Sequence, residues 1–258
     1  MPKKVLVVGT GNMGSAIVRA GVSAHVLSPK HTFVLDNSAE KTEALCKETG
    51  VQTGNPGDCD VLLLAVKPQS IESVFPIQTA ENSLLISVLA GTSVQKLKEV
   101  SHCSQVARVM PNTPALVHTG VSGIFFSPEV SKEHRAFVHT LFSACGTTLE
   151  VHEEEKMHAV TALSGSGPAY FFRFVECLIS AGEKMGLSKK DATLLAEHTF
   201  FGAAKLLQNS GDSAEELRKK VTSKGGTTEA ALAVLKEEHF ESLIRHALQA
   251  AKSKSETL

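Results

Sequence analysis

The sequence predicts an α/β protein in two parts, an N-terminal doubly wound sheet and an all-α C-terminal part. Short apolar runs alternate with helical patterns from Val5 to about Val151, which is typical of strand–helix–strand units on a parallel sheet. The first of these runs leads directly into the glycine-rich stretch Gly9-Thr10-Gly11-Asn12-Met13-Gly14. No strand pattern follows Val151, so the remaining residues are expected to be helical.

The composition excludes several classes of partner. Of the 258 residues 42% are apolar and the formal net charge is -1, so neither nucleic acid nor an anionic membrane is an expected partner. The five cysteines form no C-x-x-C pair, which favours a reducing compartment over disulfides or a zinc cluster. His152 and His158 do not share a helix face, and no metal site is predicted. No 18-residue apolar run or signal-peptide pattern is present, and we expect a cytoplasmic protein.

The first apolar run and the glycine motif together predict a Rossmann-like dinucleotide site. Val5–Val8 suits a buried parallel strand, and a helical pattern follows the motif through Ala24. In this frame Gly9 permits a tight turn, Gly11 lets the backbone approach a pyrophosphate, and Gly14 lets the helix pack closely on the strand. An incidental glycine turn is the alternative interpretation.

Asp36 bears on which dinucleotide binds. It ends the second predicted strand, Thr32–Leu35, where an acidic residue can accept hydrogen bonds from the ribose hydroxyls of NAD and repels the 2′-phosphate of NADP. Asn37, Ser38 and Lys41 follow directly and could instead hold that phosphate, so both NADH and NADPH stay open. These residues also suit a helix N-cap, which is compatible with either role.

Later strand endings place small and turn-forming residues at the same predicted edge of the sheet. Strands are predicted at Asp60–Val66, Leu84–Leu89 and Gln105–Val109, and in an open α/β sheet the ligand lies beyond the carboxyl ends of the strands. Lys67 at that edge either faces a phosphate or substrate or is only a strand-end lysine. The predicted cofactor-binding residues are Gly9, Gly11, Asn12, Met13, Gly14, Asp36, Asn37, Asn55, Ala65, Val66, Lys67, Pro68, Ala90 and Gly91.

The sheet is expected to end with two further strands, Val121–Phe126 and Thr147–Val151. We therefore predict a dinucleotide-binding domain over residues 1–153. Residues 154–258 are predicted to form a helical substrate-binding and dimerisation domain. Its helices are apolar on more than one stripe, which indicates burial against a second copy and a homodimer or larger homo-oligomer.

A glycine-rich loop in the helical part, Thr222–Thr228, is the main candidate for a substrate site. The adjacent Gly225 and Gly226 let the backbone come close to a ligand, and a helical pattern begins at Thr228. Free N–H groups and the positive end of a helix dipole would then face a small anion such as a carboxylate. A glycine turn with an N-cap threonine is the alternative. The small residues of Thr161–Tyr170 suit either ligand contact or tight helix packing.

Five motifs occur together and in order across nearly the whole chain: Gly9–Gly14, Ala65–Gln69, Arg108–Pro114, Leu163–Tyr170 and Ser223–Thr228. Together they closely resemble the Δ1-pyrroline-5-carboxylate reductase family, the enzymes of the last step of proline synthesis. The last three motifs are highly specific, whereas the first is shared by many dehydrogenases. The resemblance implies reduction of a cyclic imine, 1-pyrroline-5-carboxylate, to L-proline with NADPH or NADH. It also implies a dimer interlocked through the helical domain.

The resemblance further implies roles for the residues of the glycine-rich loop. Thr228 matches the family threonine that hydrogen-bonds the imine nitrogen, and it is the candidate catalytic residue. Two residues depart from the family pattern: Lys224 stands where many members have proline, and Asp36 stands where the 2′-phosphate pocket commonly has serine, asparagine or arginine. The residues that match the carboxylate cradle and its surroundings are Val221, Ser223, Gly225, Gly226, Thr227 and Thr228.

Two other functions fit parts of the pattern. A β-hydroxyacid dehydrogenase shares the arrangement of a Rossmann-like sheet followed by helices. Its catalytic lysine, however, has no counterpart in Pro168–Phe174, which offers Arg173 instead. A nucleotide-sensing regulator with a dead site is disfavoured by the intact loop at Ser223–Thr228.

Overall fold

The computed structural model describes residues Lys3–Leu258, so Met1 and Pro2 of the predicted first domain lie outside the described residues. The strands are β1 (Val5–Val8), β2 (Thr32–Leu35), β3 (Gln52–Thr53), β4 (Cys59–Leu64), β5 (Thr79–Ser87), β6 (Gln105–Met110), β7 (Gly120–Phe126) and β8 (Gly146–Glu150). The helices are α1 (Asn12–Ser23), α2 (Ala39–Thr49), α3 (Ile71–Val74), α4 (Val94–Ser101), α5 (Lys132–Ser143), α6 (Lys156–Val160), α7 (Gly167–Lys184), α8 (Lys189–Ser210), α9 (Ala214–Lys220), α10 (Thr227–Glu237) and α11 (Phe240–Glu256).

The strands form one sheet in the order β3-β2-β1-β4-β5-β6-β7-β8. Strands β1 to β6 are parallel, as predicted, but β7 pairs antiparallel with β6, and β8 is parallel to β7. The reversal follows from the short connection between β6 and β7, which contains only the 3₁₀ helix Thr113–Val117. A parallel crossover needs a dozen or more residues and usually a helix of its own.

Helices cover both faces of the sheet, which confirms the doubly wound prediction. Alternate residues of each buried strand point to opposite faces, so Val5 and Val7 belong to one core cluster while Leu6 and Val8 belong to the other. Side chains of α1, α2 and α5 pack in the first cluster, and side chains of α3 and α4 pack in the second. Buried side chains of one chain therefore form a core on each face of the sheet.

Helix ends follow the capping residues of the sequence. Ser38 caps α2 by accepting a hydrogen bond from the Lys41 N–H, and the helix ends at Gly50 in a left-handed conformation. Ser213 and Glu216 form a reciprocal capping box at the start of α9, an arrangement that satisfies two otherwise free backbone donors. These local signals explain where α2 and α9 begin.

The described chain forms two compact units, one of residues up to Pro168 together with Ala250–Leu258, and one of Ala169–Gln249. The predicted domain boundary at residue 153 lies before this division and stays a prediction. The second unit is helical, and its buried apolar side chains, within the described part of the chain, are only Ala192 and Ala196. None of the helices in the described residues is long and apolar enough to cross a membrane.

Candidate active site

The parallel register of β1, β2 and β4 brings three predicted cofactor segments to one edge of the sheet. Val8, the last residue of β1, lies beside Leu35 of β2 and Leu64 of β4. The segments that begin at Gly9, Asp36 and Ala65 therefore leave the sheet next to one another. This edge is the carboxyl edge, where open α/β sheets bind their ligands.

Gly9 is required by the backbone of the turn after β1. Its φ is +103°, a conformation that residues with a side chain rarely adopt. A β-carbon at this position would also lie 2.5 Å from the carbonyl oxygen of Ala65. The Gly9 N–H donates to the carbonyl oxygen of Leu35 at 2.8 Å, which fixes the turn against the end of β2.

Gly14 and Gly11 are glycines for different reasons. A β-carbon at Gly14 would overlap the carbonyl oxygen of Gly9 and lie 3.1 Å from the β-carbon of Ala65, so Gly14 allows α1 to pack against the turn. A β-carbon at Gly11 would meet no atom within 4 Å, so no part of the described chain requires glycine there. The start of α1 beside Gly11 has no side-chain cap and no acidic residue in its first turn. The open space at Gly11 and this helix start fit the approach of a pyrophosphate.

Asp36 connects the glycine turn to α2. Its two carboxylate oxygens accept hydrogen bonds from the Thr10 N–H at 2.6 Å and the Ser38 N–H at 2.9 Å. Burial acts to raise the pKa of Asp36, but the N–H groups of Ser38 and Thr10 stabilise the carboxylate and hold its pKa below the ordinary value of 3.8. Asp36 therefore stabilises the folded protein at pH values above 3.8, and this stabilisation is lost as the pH falls through the lower pKa that Asp36 has in the folded state. Contact of Asp36 with a ribose stays a prediction, and its free lone pairs leave room for one.

The segments after β4 and β5 form the next part of the edge. Ala65 and Val66 are partly buried, whereas Lys67 is exposed and precedes the 3₁₀ helix Pro68–Ser70. Gly91 has φ +74°, and a β-carbon there would overlap the β-carbon of Leu258. A cavity of about 490 Å³ opens at this point between the two segments. Predicted residues Ala90 and Gly91 thus lie at the same edge as the glycine turn.

Asn37 and Asn55, two of the three predicted asparagines, are both exposed. Asn37 follows Asp36, and Asn55 lies in the turn between β3 and β4, where its Oδ1 accepts a hydrogen bond from the Gly57 N–H at 3.0 Å. This local turn is the structural role of Asn55 in the described chain. A contact of either asparagine with a cofactor stays a prediction.

A buried ion pair near this edge was not anticipated from the sequence. Arg108 on β6 is 3% exposed, and its Nη1 donates to Oε1 of Glu154 at 2.8 Å. The same oxygen accepts the N–H of Val94, the first residue of α4, also at 2.8 Å. The sequence analysis gave neither Arg108 nor Glu154 a partner. An arginine inside a strand pattern is the one signal that pointed to a buried partner, because arginine is almost never fully buried unpaired.

The segment after α6 is π-helical over Thr161–Gly165, a form that often marks functional positions. A β-carbon at Gly165 would overlap Cε of Met110, which supports the interpretation of tight packing at this glycine. Nδ2 of Asn112 donates to the carbonyl oxygen and to Oγ of Ser164, both at 3.3 Å, and its Oδ1 accepts the Val121 N–H at 2.9 Å. Asn112 thereby links the exit of β6 to this segment and to β7.

The glycine-rich loop of the second unit begins after α9 and ends at α10. Gly225 has φ +70°, which favours glycine, and a β-carbon at Gly226 would lie 2.5 Å from Oγ of Ser223, so that hydroxyl would have to move. The N-cap of α10 is Gly226, not a threonine, and Thr227 and Thr228 are therefore its first two residues. The helix starts one residue earlier than predicted because the extended Gly226 already ends the turn.

The backbone donors of the loop divide into two groups. The Gly225 N–H donates to Oε2 of Glu229 at 2.7 Å, and the Gly226 N–H donates to the carbonyl oxygen of Ser223 at 3.0 Å. The N–H groups of Thr227 and Thr228 donate to no acceptor within the described residues. They lie in the first turn of α10, where the helix dipole favours an anion. Two of the four amides in the predicted cradle are thus open.

The turn glycines, the open space at Gly11 and the carboxyl-edge segments define a dinucleotide-binding oxidoreductase fold. Residues 4–91 match the family model described as NADP oxidoreductase, coenzyme F420-dependent. Residues 154–258 match the family model described as pyrroline-5-carboxylate reductase dimerisation.

Full-length comparisons specify the family. A pyrroline-5-carboxylate reductase of Haemophilus influenzae is 39% identical over 99% of this chain and 97% of its own. The structure of a pyrroline-5-carboxylate reductase from Coxiella burnetii superimposes with a TM-score of 0.88 at 32% identity, over 100% of this chain and 98% of its own. A Plasmodium falciparum pyrroline carboxylate reductase with NADP bound gives a TM-score of 0.84 at 30% identity, over 99% and 97% of the two chains. This chain belongs to the pyrroline-5-carboxylate reductase family.

Proposed function

We propose that this protein is a pyrroline-5-carboxylate reductase, which reduces 1-pyrroline-5-carboxylate to L-proline with NADPH or NADH in the last step of proline biosynthesis. The observation that carries the proposal is the end-to-end match to relatives of that name, at 39% identity over 99% of the chain. The open N–H groups of Thr227 and Thr228 support it, because the substrate brings a carboxylate. In this proposal residues 1–153 bind the cofactor, and residues 154–258 bind the substrate and a second copy.

The cofactor is proposed to bind at the carboxyl edge of the sheet. The Gly11 backbone approaches the pyrophosphate, Asp36 faces the adenosine ribose, and Ala65–Pro68 with Ala90 and Gly91 border the nicotinamide. When bound, the reduced nicotinamide supplies the hydride. Because the Asp36 carboxylate would repel a 2′-phosphate, it favours NADH, while Asn37 and Lys41 next to it can hold that phosphate. The preference is therefore a property to be measured.

The substrate is proposed to bind at Ser223–Thr228. The Thr227 and Thr228 amides bind its carboxylate, with Ser223 beside them. The Thr228 hydroxyl donates a hydrogen bond to the imine nitrogen. As a hydride adds to the imine carbon, the C=N double bond becomes a single bond and the Thr228 hydroxyl relays a proton to the nitrogen, so the product is a secondary amine. The chain needs no nucleophile for this step. Holding the reactants in line can lower the barrier by about 7–11 kcal/mol.

A second copy of the chain is the proposed partner of the helical unit. Helices α7, α8, α10 and α11 expose large apolar side chains that one chain leaves uncovered, and such surfaces mark interaction sites. The dimerisation match at residues 154–258 supports a homo-oligomer that uses them. We further propose a cytoplasmic location, with no nucleic-acid or membrane partner. The exposed residues include Phe171, Phe172, Phe174, Leu178, Leu194, Leu195, Phe201, Leu206, Leu207, Val234, Leu243 and Ile244.

The direct test is oxidation of NADH and of NADPH with 1-pyrroline-5-carboxylate, measured side by side. Turnover with at least one of the two cofactors is expected. If neither NADH nor NADPH supported turnover, the result would contradict the proposed function. In the same assay Thr228→Ala is expected to lower kcat about 100-fold, within the range for loss of a proton donor, with little change in the KM of the cofactor.

Thr222→Ala is the matched control for Thr228→Ala. Its hydroxyl donates to the carbonyl oxygen of Arg218 at 2.6 Å and is not assigned to the substrate. This variant is expected to keep kcat within about twofold of the unmodified enzyme. An unchanged kcat in Thr228→Ala would remove that hydroxyl from the mechanism.

A further inference from the structure

Glu229 places a carboxylate of the chain itself at the loop that is proposed to bind the substrate's carboxylate. It is the third residue of α10, and its Oε2 accepts the Gly225 N–H at 2.7 Å. The Gly225 amide is thus taken by an internal carboxylate. An incoming carboxylate at the neighbouring Thr227 and Thr228 amides meets a negative charge one helical turn or less away.

No positive side chain neutralises Glu229 by direct contact. Among the described residues it takes part in none of the ion pairs within 4 Å. Arg218 and Lys236 line the same open cavity of about 550 Å³ as Glu229, but neither contacts its carboxylate. Lys224, three residues before the first residue of the helix, is exposed. The loop therefore combines free N–H donors, which attract an anion, with one fixed carboxylate, which opposes it.

We propose that Glu229 lowers the affinity of the loop for carboxylates, so that the substrate is held less tightly and the product is released more readily. This inference rests on the proposed function. Both the substrate and L-proline carry the carboxylate, so a loop of free amides alone would hold the product as firmly as it captures the substrate. Glu229 also keeps the Gly225 amide satisfied when the loop is empty. It is a positioning and affinity-setting residue that takes no part in hydride transfer.

The test is Glu229→Gln, which keeps an oxygen acceptor for the Gly225 N–H and the size of the side chain but removes the charge. Removing one like charge at a few ångströms in solvent is expected to tighten carboxylate binding about fivefold. The KM for 1-pyrroline-5-carboxylate and the inhibition constant of L-proline should both fall by about that factor. The KM of the cofactor should stay unchanged.

Glu237→Gln is the matched control, because it makes the same charge change on the same helix, about 12 Å further along the axis. It should leave both carboxylate constants within about 1.5-fold. A residue that only stabilises the helix start would change the thermal midpoint and leave the constants alone. Unchanged or higher constants in Glu229→Gln would overturn the inference. Inactivity of the unmodified enzyme would instead count against the proposed function, so the two failures are distinguishable.

Discussion

The substitutions Gly11→Ala and Gly14→Ala are expected to change different properties, although the two glycines belong to one turn: Gly14→Ala should lower stability, and Gly11→Ala should weaken cofactor binding. At Gly14 a β-carbon would overlap the carbonyl oxygen of Gly9 and lie 3.1 Å from the β-carbon of Ala65. These are backbone and short side-chain atoms that cannot rotate away. At Gly11 a β-carbon would meet nothing within 4 Å, and the φ of -66° suits alanine.

The size of each effect follows from these contacts. Overpacking of this kind costs about 1–3 kcal/mol, and each kcal/mol lowers the melting temperature by about 2–4 °C in a chain of this size. Gly14→Ala should therefore lose several degrees. Two effects oppose each other in Gly11→Ala. Alanine is a poorer N-cap residue than glycine, which destabilises the folded protein. Alanine also reduces the entropy of the unfolded chain, which stabilises the folded protein by about 0.4–1 kcal/mol. Its stability should stay within about 1 kcal/mol of the unmodified protein.

Two measurements separate the variants. Thermal unfolding without cofactor should place Gly11→Ala close to the unmodified protein and Gly14→Ala clearly below it. In the reductase assay Gly11→Ala should raise the KM of the cofactor at least about tenfold, because its methyl group occupies the space left for the pyrophosphate. The reasoning is refuted if Gly11→Ala melts as low as Gly14→Ala. It is equally refuted if Gly11→Ala binds cofactor normally.

Two further predictions concern the buried ion pair and the open amides. Arg108→Met leaves the partly exposed Glu154 carboxylate with only the Val94 N–H as a partner and should cost about 2 kcal/mol, seen as a lower melting temperature. Lys96→Met breaks an exposed pair and should cost about 1 kcal/mol at most; equal losses would contradict the distinction. Thr227→Pro removes an N–H that has no partner in the described chain. Thr227 is the first residue of α10, a position that favours proline, and Gly226 before it already has the extended backbone that a following proline requires. Thr227→Pro should raise the KM for 1-pyrroline-5-carboxylate about tenfold at nearly unchanged stability; an unchanged KM would exclude that amide from the site.

Local signals in the sequence predicted the elements around the glycine turn closely. The bounds of β1 and β2 agree with prediction, because a short apolar run defines each strand, and α2 begins directly after the predicted N-cap residues. The direction of β7 could not be predicted from a strand pattern, since alternation of side chains is the same in both directions. It depends on the length of the connection after β6, whose 3₁₀ helix has only five residues.

Long-range polar pairs explain most of what the sequence left unpredicted at the site. Glu154 lies 46 residues from Arg108 and 60 from Val94, so no local spacing rule could connect them. The sequence showed three glutamates before a helix, where a favourable interaction with the dipole already accounts for acidic residues. One of those glutamates instead joins a sheet strand to the start of α4, and only the fold brings these atoms together.

The loop at Thr222–Thr228 shows how one residue of helix register changes a chemical prediction. A helix that began at Thr228 behind a threonine cap would leave all the glycine amides free for a ligand. Because Gly226 is the N-cap, Glu229 becomes the third helical residue, and a carboxylate at that position can reach back to a preceding amide. The donors left for a substrate are then backbone groups of Thr227 and Thr228, which side-chain truncation cannot remove. Substitutions that act on the backbone or on the charge of Glu229 are therefore the ones that test carboxylate binding, whereas Thr228→Ala tests only the hydroxyl.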